Sequence, residues 1–258
     1  MLLAIDIGNS STKFGAFDGE TLVRRHTIPT LRGRTADEIR ASIDEEFDGR
    51  FSAIVVSSVV PELDAAFRAL GENHFNQTPV FVDNRSDFGL VIRYSPPENL
   101  GVDRLVAAFA AREKYGAPVI VGDFGTATTI DAVSAAGEYL GGVITPGPNT
   151  LSEALHIKTS KLPRVELRRP ESVIGRTTVG SIQAGVFYGY VGLTEGILRR
   201  MLDELGEPAR IVATGGFAGL IAADCPLIET VDENLMLDGL RRLYERNQSK
   251  NPAAVTER

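Results

Sequence analysis

The chain opens on short apolar runs broken by turn residues. Leu2 to Ile7 reads as a buried strand, Thr12 to Phe17 follows across a short polar turn, and Asp18-Gly19 is a hairpin signal leading into Thr21 to Ile28. Three strands in succession are predicted. Thr35 can then cap a helix through Phe47 with Ile39 and Ile43 on one face, Phe51 to Val59 is a β-branched run, and Pro61 starts a second helix to Leu70. Pro79 to Val82 is a short strand, and Asn99 can cap a helix to Tyr115. On that helix Val102, Leu105, Val106 and Phe109 form an apolar face, with Asp103 off it at the head of a line of alanines. From Pro118 the same grammar restarts: strand Val119 to Asp123, strand Thr126 to Val133, an Ala136-Gly137 turn and strand Glu138 to Ile144, with helices and strands alternating thereafter.

The restart looks like a duplication. Asp6-Ile7-Gly8-Asn9 and Asp123-Phe124-Gly125-Thr126 share Asp-x-Gly at a spacing of 117 positions, which sets Lys13 to Val23 on Ile130 to Leu140. A βββαβαβα order written twice predicts an α/β protein of two domains, 1–117 and 118–258, divided at Tyr115-Gly116-Ala117-Pro118 where turn residues follow a helix. Plain α/β regularity is the alternative. Two domains imply a cleft, and the Pro-rich, basic stretch from Lys158 to Arg176 reads as an irregular insertion beside it. The polar tail from Asn247 to Arg258 is expected to fray.

Composition narrows the function classes. With 258 residues, 43% hydrophobic and 24% charged, the chain can bury a core; 27 Lys and Arg against 34 Asp and Glu leave a net charge of −7, which argues against nucleic acid or anionic membrane as partner. The single Cys225 has no disulfide partner in the chain, as befits a reducing compartment. His26, His74 and His156 are scattered without metal-ligand spacing. Met1-Leu2-Leu3-Ala4-Ile5 lacks a basic leader and no apolar run is long enough to span a bilayer, so a soluble cytoplasmic protein is expected.

Candidate chemistry sits in the turns. After Asp6, the Gly8-Asn9-Ser10-Ser11-Thr12 turn supplies amides and hydroxyls to phosphate oxygens, Gly8 lets a ligand approach the backbone, and Asp6 can hold Mg²⁺, usually through water. A hairpin merely rich in turn formers is the competing reading. Asp123-Phe124-Gly125-Thr126-Ala127-Thr128-Thr129 repeats the design, and two such loops facing one cleft could grip a nucleotide triphosphate. No Gly-x-x-x-x-Gly-Lys-Ser/Thr loop occurs; Gly215-Gly216 fits a nucleoside-contacting turn or an ordinary βα loop equally. Asp103 lies in a first helical turn, where an acid is often only a complement to the helix dipole. A helix beginning near Thr177 carries Gly180, Gly185, Gly189, Gly192 and Gly196; each interior Gly costs about 1 kcal/mol relative to Ala, so close packing must offset several of them. Either a partner helix in a homodimer or packing within the chain would serve.

Three segments together resemble the type III pantothenate kinase family: Asp6-Ile7-Gly8-Asn9-Ser10, Leu100-Gly101-Val102-Asp103-Arg104 and Asp123-Phe124-Gly125-Thr126-Ala127-Thr128-Thr129. Gly141-Gly142-Val143-Ile144-Thr145-Pro146-Gly147 and Thr178-Val179-Gly180-Ser181-Ile182-Gln183-Ala184-Gly185 resemble the two blocks that follow, although the family often has Asn where this chain has Thr177. The resemblance implies the actin-like, ribonuclease-H-type fold and phosphoryl transfer from ATP to the primary hydroxyl of pantothenate, the first step of coenzyme A synthesis, with Mg²⁺ and K⁺ or NH₄⁺. By position it implies that Asp6, Ile7, Gly8, Asn9, Ser10, Ser11, Thr12 and Lys13 bind ATP with help from Thr126, and that Asp123 holds the monovalent cation. Gly101, Val102, Asp103, Arg104, Thr178 and Tyr94 would surround pantothenate, with Asp103 as catalytic base. Tyr94, before Ser95-Pro96-Pro97, could equally be a packing aromatic. A kinase of the same fold for another small acceptor, or a non-catalytic regulatory accessory factor, are the alternatives.

Overall fold

The computed structural model describes residues 1–43, 47 and 49–250. Both expected strand triplets form. In the first unit β1 (Leu2–Ile7), β2 (Ser11–Asp18) and β3 (Thr21–Pro29) are antiparallel neighbours, followed by α1 (Ala36–Ser42), β4 (Ala53–Ser58), α2 (Pro61–Phe75) and β5 (Val80–Val82). The sheet order is β3-β2-β1-β4-β5, with β4 parallel to both β1 and β5. Thr35 caps α1 through a capping box with Glu38, but the helix ends at Ser42; residues 44–46, in the stretch expected to be helical up to Phe47, lie outside the described residues.

The second unit repeats this order. β7 (Val119–Phe124), β8 (Ala127–Val133), β9 (Glu138–Pro146), β10 (Arg210–Thr214) and β11 (Thr230–Val231) lie as β9-β8-β7-β10-β11, with β7-β8-β9 antiparallel and β7-β10-β11 parallel. A two-residue strand that the periodicity does not reveal, β6 (Val91–Ile92), extends this sheet beyond β9. Its helices are α4 (Pro148–Lys158), α5 (Thr178–Leu205) and α6 (Ala218–Ala222), and no helix or strand forms between α4 and α5, as the composition there suggests.

Register tightens the duplication and corrects its alignment. Asp6 stands opposite Lys13, whereas Asp123 stands opposite Thr129, so the second turn is one residue shorter and the spacing falls from 117 to 116 beyond it. Lys13 therefore corresponds to Thr129, not to Ile130. At the new spacing the register shift at Ala16/Phe17 in the first sheet falls on that at Ala132/Val133 in the second. Bulges are specific local features, and their recurrence at matching positions favours duplication over regularity.

The division into units is not a single cut at 117/118. The first comprises Met1–Leu90, Ser95–Ala110 and the chain from Asn234 onward; the second comprises Val91–Tyr94 and Ala111–Glu233. The cause is the last helix, α7 (Leu235–Lys250), whose buried Leu237, Leu240 and Leu243 give it an apolar stripe, and which packs on β1, β2 and β4. Leu237 closes on Gly15, Gly239 abuts Val106 and Ala110, and the Arg241 guanidinium lies over the Phe17 ring while bonded to Asp238 and Glu245. Asn247 to Lys250, expected to fray, belong to this helix, with the Asn247 amide bonded to the Leu243 carbonyl; residues 251–258 lie outside the described residues.

Strand alternation then sorts the first sheet's faces. Leu3, Ile5, Ile7, Phe14, Ile54 and Val56 pack into a core with Ile39 of α1 and Leu63, Phe67 and Leu70 of α2. The opposite face, bearing Ala4, Asp6, Lys13 and Gly15, is the one α7 covers. In the second unit the corresponding core joins Ile120, Phe124, Ile130 and Ile211 to Ile182, Phe187, Tyr190 and Leu198 of α5.

Candidate active site

The helix bearing Asp103, α3, runs from Val102 to Tyr115 and is not capped by Asn99. Pro97–Asn99 form a short 3₁₀ turn instead, because two prolines hold the preceding chain extended, and the helix begins just after Gly101. Gly101 leaves room for the acid: a Cβ on it would lie 2.5 Å from Asp103 Oδ1 and would push the carboxylate aside. That oxygen accepts a hydrogen bond from the Arg104 N–H at 2.8 Å, which holds the carboxylate against the helix N-terminus. The line of alanines behind Asp103 is core as well; Ala107, Ala110 and Ala111 are as buried as Leu105, Val106 and Phe109. Arg104 is itself buried, at 5% exposure, and engaged within the fold.

Asp6 is the penultimate residue of β1 in the same unit. Lys13 faces it across the strand pair at 3.7 Å, and both side chains are largely covered. Burial raises the Asp6 carboxyl above its usual range; Lys13 opposes this, and the negative charge of Asp103 adds to it. The folded state thus binds the proton more tightly than the unfolded state. Ionised Asp6 costs nothing below pH 3.8, and the cost grows as pH rises through the raised value. Asp6→Asn is therefore expected to raise the melting temperature of the ligand-free protein at pH 8, with a gain that shrinks as pH falls to 3.8. A gain that does not shrink over that range would contradict the assignment.

The turn after Asp6 is tied by the Gly8 N–H to the Ser11 carbonyl at 3.1 Å, leaving Asn9 and Ser10 exposed. Thr12 points to the other face: it is buried, its hydroxyl paired with that of Thr30 at 2.9 Å. Ile7 is wholly buried, and its carbonyl accepts the Val59 N–H at 3.0 Å.

In the second unit the matching turn is held from two sides. The Thr126 carbonyl accepts the Gly147 N–H at 2.9 Å and the Thr150 hydroxyl at 2.6 Å. Gly215, at φ +93°, lies where a Cβ would meet Asp123 Oδ1 at 2.4 Å. Gly147, Thr150 and Gly215 thus shape this loop, a role their spacing does not disclose. Tyr94 is half-buried, its ring edge-on to Tyr139 at 6.5 Å, and the Tyr139 hydroxyl donates to buried Asp131 at 2.7 Å. Thr178 is exposed at the start of α5, on an apolar groove of ≈ 670 Å³ lined also by Leu151, Leu155, Ser181 and Ile182. Thr177 caps α5 by accepting the Gly180 N–H at 3.0 Å, a task that Asn also performs.

The family model for type III pantothenate kinase matches residues 2–200. The chain belongs to the type III pantothenate kinase family. A type III pantothenate kinase of Myxococcus xanthus is 48% identical over 255 residues, covering 96% of this chain and all of that one, and that of Geobacter sulfurreducens is 46% identical over 254 residues with the same coverage. At the level of fold alone, a candidate 2-dehydro-3-deoxygalactonokinase from Sinorhizobium meliloti superposes with TM-score 0.63 at 11% identity, covering 95% of this chain and 99% of that one. The fold is that of the actin-like kinases, and this family member is an ATP-dependent kinase. Among the described residues no helix is long and apolar enough to cross a membrane, and no three His, Cys, Asp or Glu side chains cluster as a metal cage.

Proposed function

We infer that this chain carries out its family's reaction, transfer of the γ-phosphoryl of ATP to pantothenate at the start of coenzyme A synthesis, with Asp103 as the base. The observation that carries this is the placing of Asp103 in the first turn of α3, in the electrostatic reach of Asp6. Phosphoryl transfer needs positioning and charge neutralisation more than covalent help. Asp103 accepts the hydrogen bond of the attacking hydroxyl, aims it and takes its proton late. The backbone of Gly8 to Ser11 and the Lys13 ammonium hold phosphate oxygens, with Thr126 assigned to ATP as well. Tyr94, Gly101, Val102, Arg104 and Thr178 are assigned to pantothenate. Thr12 supports the turn through Thr30.

Asp6 fits Mg²⁺: it is a hard oxygen donor whose burial favours a nearby cation, and Mg²⁺ is commonly held by one or two carboxylates and substrate phosphates. Such an ion would neutralise charge on the transferring group. Asp123, half-buried beside Gly215, is the carboxylate for K⁺ or NH₄⁺. With ATP, Mg²⁺ and K⁺ the purified protein is expected to phosphorylate pantothenate in preference to a panel of sugars and acetate. Replacing K⁺ by Na⁺, or Asp123 by Ala, should lower turnover and raise the KM for ATP. Full activity in Na⁺ alone would remove the monovalent site.

We assign the functional unit as a homodimer in the cytoplasm. The buried face of α5 is used inside the chain, but Gly185, Gly189 and Gly192 have open space above them, so packing within the unit does not offset their cost. A second copy laid on this stripe would. Light scattering at micromolar concentration is expected to return twice the 27.8 kDa chain mass; a monomer would end this assignment.

A further inference from the structure

Beside Asp6, on the side away from Lys13, stands a hydroxyl with nothing to do. β1 and β4 run parallel with Asp6 in register with Ser57, and register partners project from the same sheet face. Ser57 is 1% exposed, and its hydroxyl has no hydrogen-bond partner among the described residues. Two residues earlier on the same face the chain has Val55, the expected choice for a buried strand. A buried hydroxyl left unpaired is uncommon in a native fold and calls for a reason.

The second unit carries the same arrangement independently. Asp123 is in parallel register with Thr214, which is wholly buried and whose hydroxyl is also without a partner among the described residues, while Val212 stands two residues earlier. The rows Lys13-Asp6-Ser57 and Thr129-Asp123-Thr214 thus each place a strand-end carboxylate beside an unused hydroxyl. A packing accident would not be expected twice at the equivalent position.

We propose that Ser57 is a positioning residue, the donor that holds the Asp6 carboxylate in its cation-bearing orientation once Lys13 turns to nucleotide phosphate. Thr214 stands in the same relation to Asp123. Ser57 is too deeply buried to touch a ligand, so it acts through Asp6. As register partner on the neighbouring strand, its side chain projects from the same sheet face as the Asp6 carboxylate. Outer-shell donors of this kind fix a ligating carboxylate and change metal affinity by about 10- to 100-fold when removed. The inference rests on the assignment of Mg²⁺ to Asp6.

The test compares Ser57→Ala, Asp6→Asn and the double variant. Binding of a non-hydrolysable ATP analogue is titrated calorimetrically with Mg²⁺ and with EDTA, and thermal unfolding is followed without ligand. Ser57→Ala is expected to lower the Mg²⁺-dependent affinity about tenfold, to leave the affinity in EDTA unchanged, and to leave or raise the melting temperature, because an unpaired hydroxyl is removed. Ser57→Cys, a near-isostere with a weaker donor, should fall between. The double variant should bind no more weakly than Asp6→Asn alone, since Ser57 acts only through that carboxylate. If Asp6→Asn loses Mg²⁺-dependent affinity while Ser57→Ala stays within about twofold of wild type, or if the two effects add, the role of Ser57 is wrong and that of Asp6 stands. A lower melting temperature for Ser57→Ala also overturns it, by showing the hydroxyl already bonded. If Asp6→Asn itself changes nothing, the Mg²⁺ assignment falls first.

Discussion

Asp103→Asn is expected to lower kcat for pantothenate phosphorylation by roughly 10²-fold or more, within the usual range for a removed acid or base. The substitution keeps the shape of the side chain, and its amide oxygen can still accept the Arg104 N–H that now holds Oδ1 at 2.8 Å. What it removes is the charge that aims the hydroxyl and receives its proton. Pantothenate binding should survive better than turnover, so KM should move far less than kcat. Steady-state kinetics with both substrates varied decides the matter. A kcat within about threefold of wild type, worth well under 1 kcal/mol of barrier, would remove Asp103 from the chemistry.

Leu237→Ala should cost about 2–5 kcal/mol of stability, the range for a fully buried leucine. Leu237 is completely buried, and its Cδ1 lies 3.1 Å from where a Cβ on Gly15 would stand. It fastens α7 to the sheet face that carries Asp6 and Lys13, so the cavity would open behind the phosphate turn. Urea unfolding should show a lower midpoint, and the KM for ATP should rise with it. A loss under about 1 kcal/mol, below the range for such a cavity, would mean that α7 docks elsewhere.

Much of the site was legible in the sequence because its determinants are local. A carboxylate closing an apolar strand, followed by Gly and small polar residues, predicts a phosphate-facing turn wherever the strand ends up. Asp6 and Asp123 both stand one residue before the end of their strands. The helix around Asp103 was equally visible from its apolar stripe, although its start was not: the 3₁₀ turn at Pro97–Asn99 displaces Asn99 from the cap. Thr12 was misjudged for a related reason. Alternation turns its side chain away from Lys13, and Thr30 on the next strand takes its hydroxyl.

What the sequence determined alone was therefore the two strand triplets, the two Asp-x-Gly turns and the family, since periodicity, turn chemistry and motif spacing are all written within a few residues. Only the tertiary structure decided that the last helix belongs to the first unit, that the second turn is one residue short, and that Ser57 and Thr214 stand beside the two acids. Each of these depends on which distant strand or helix lies alongside. Pairing register and long-range packing set that; no run of neighbouring residues encodes it, and a serine in an apolar strand acquires its meaning only from the carboxylate across the ladder.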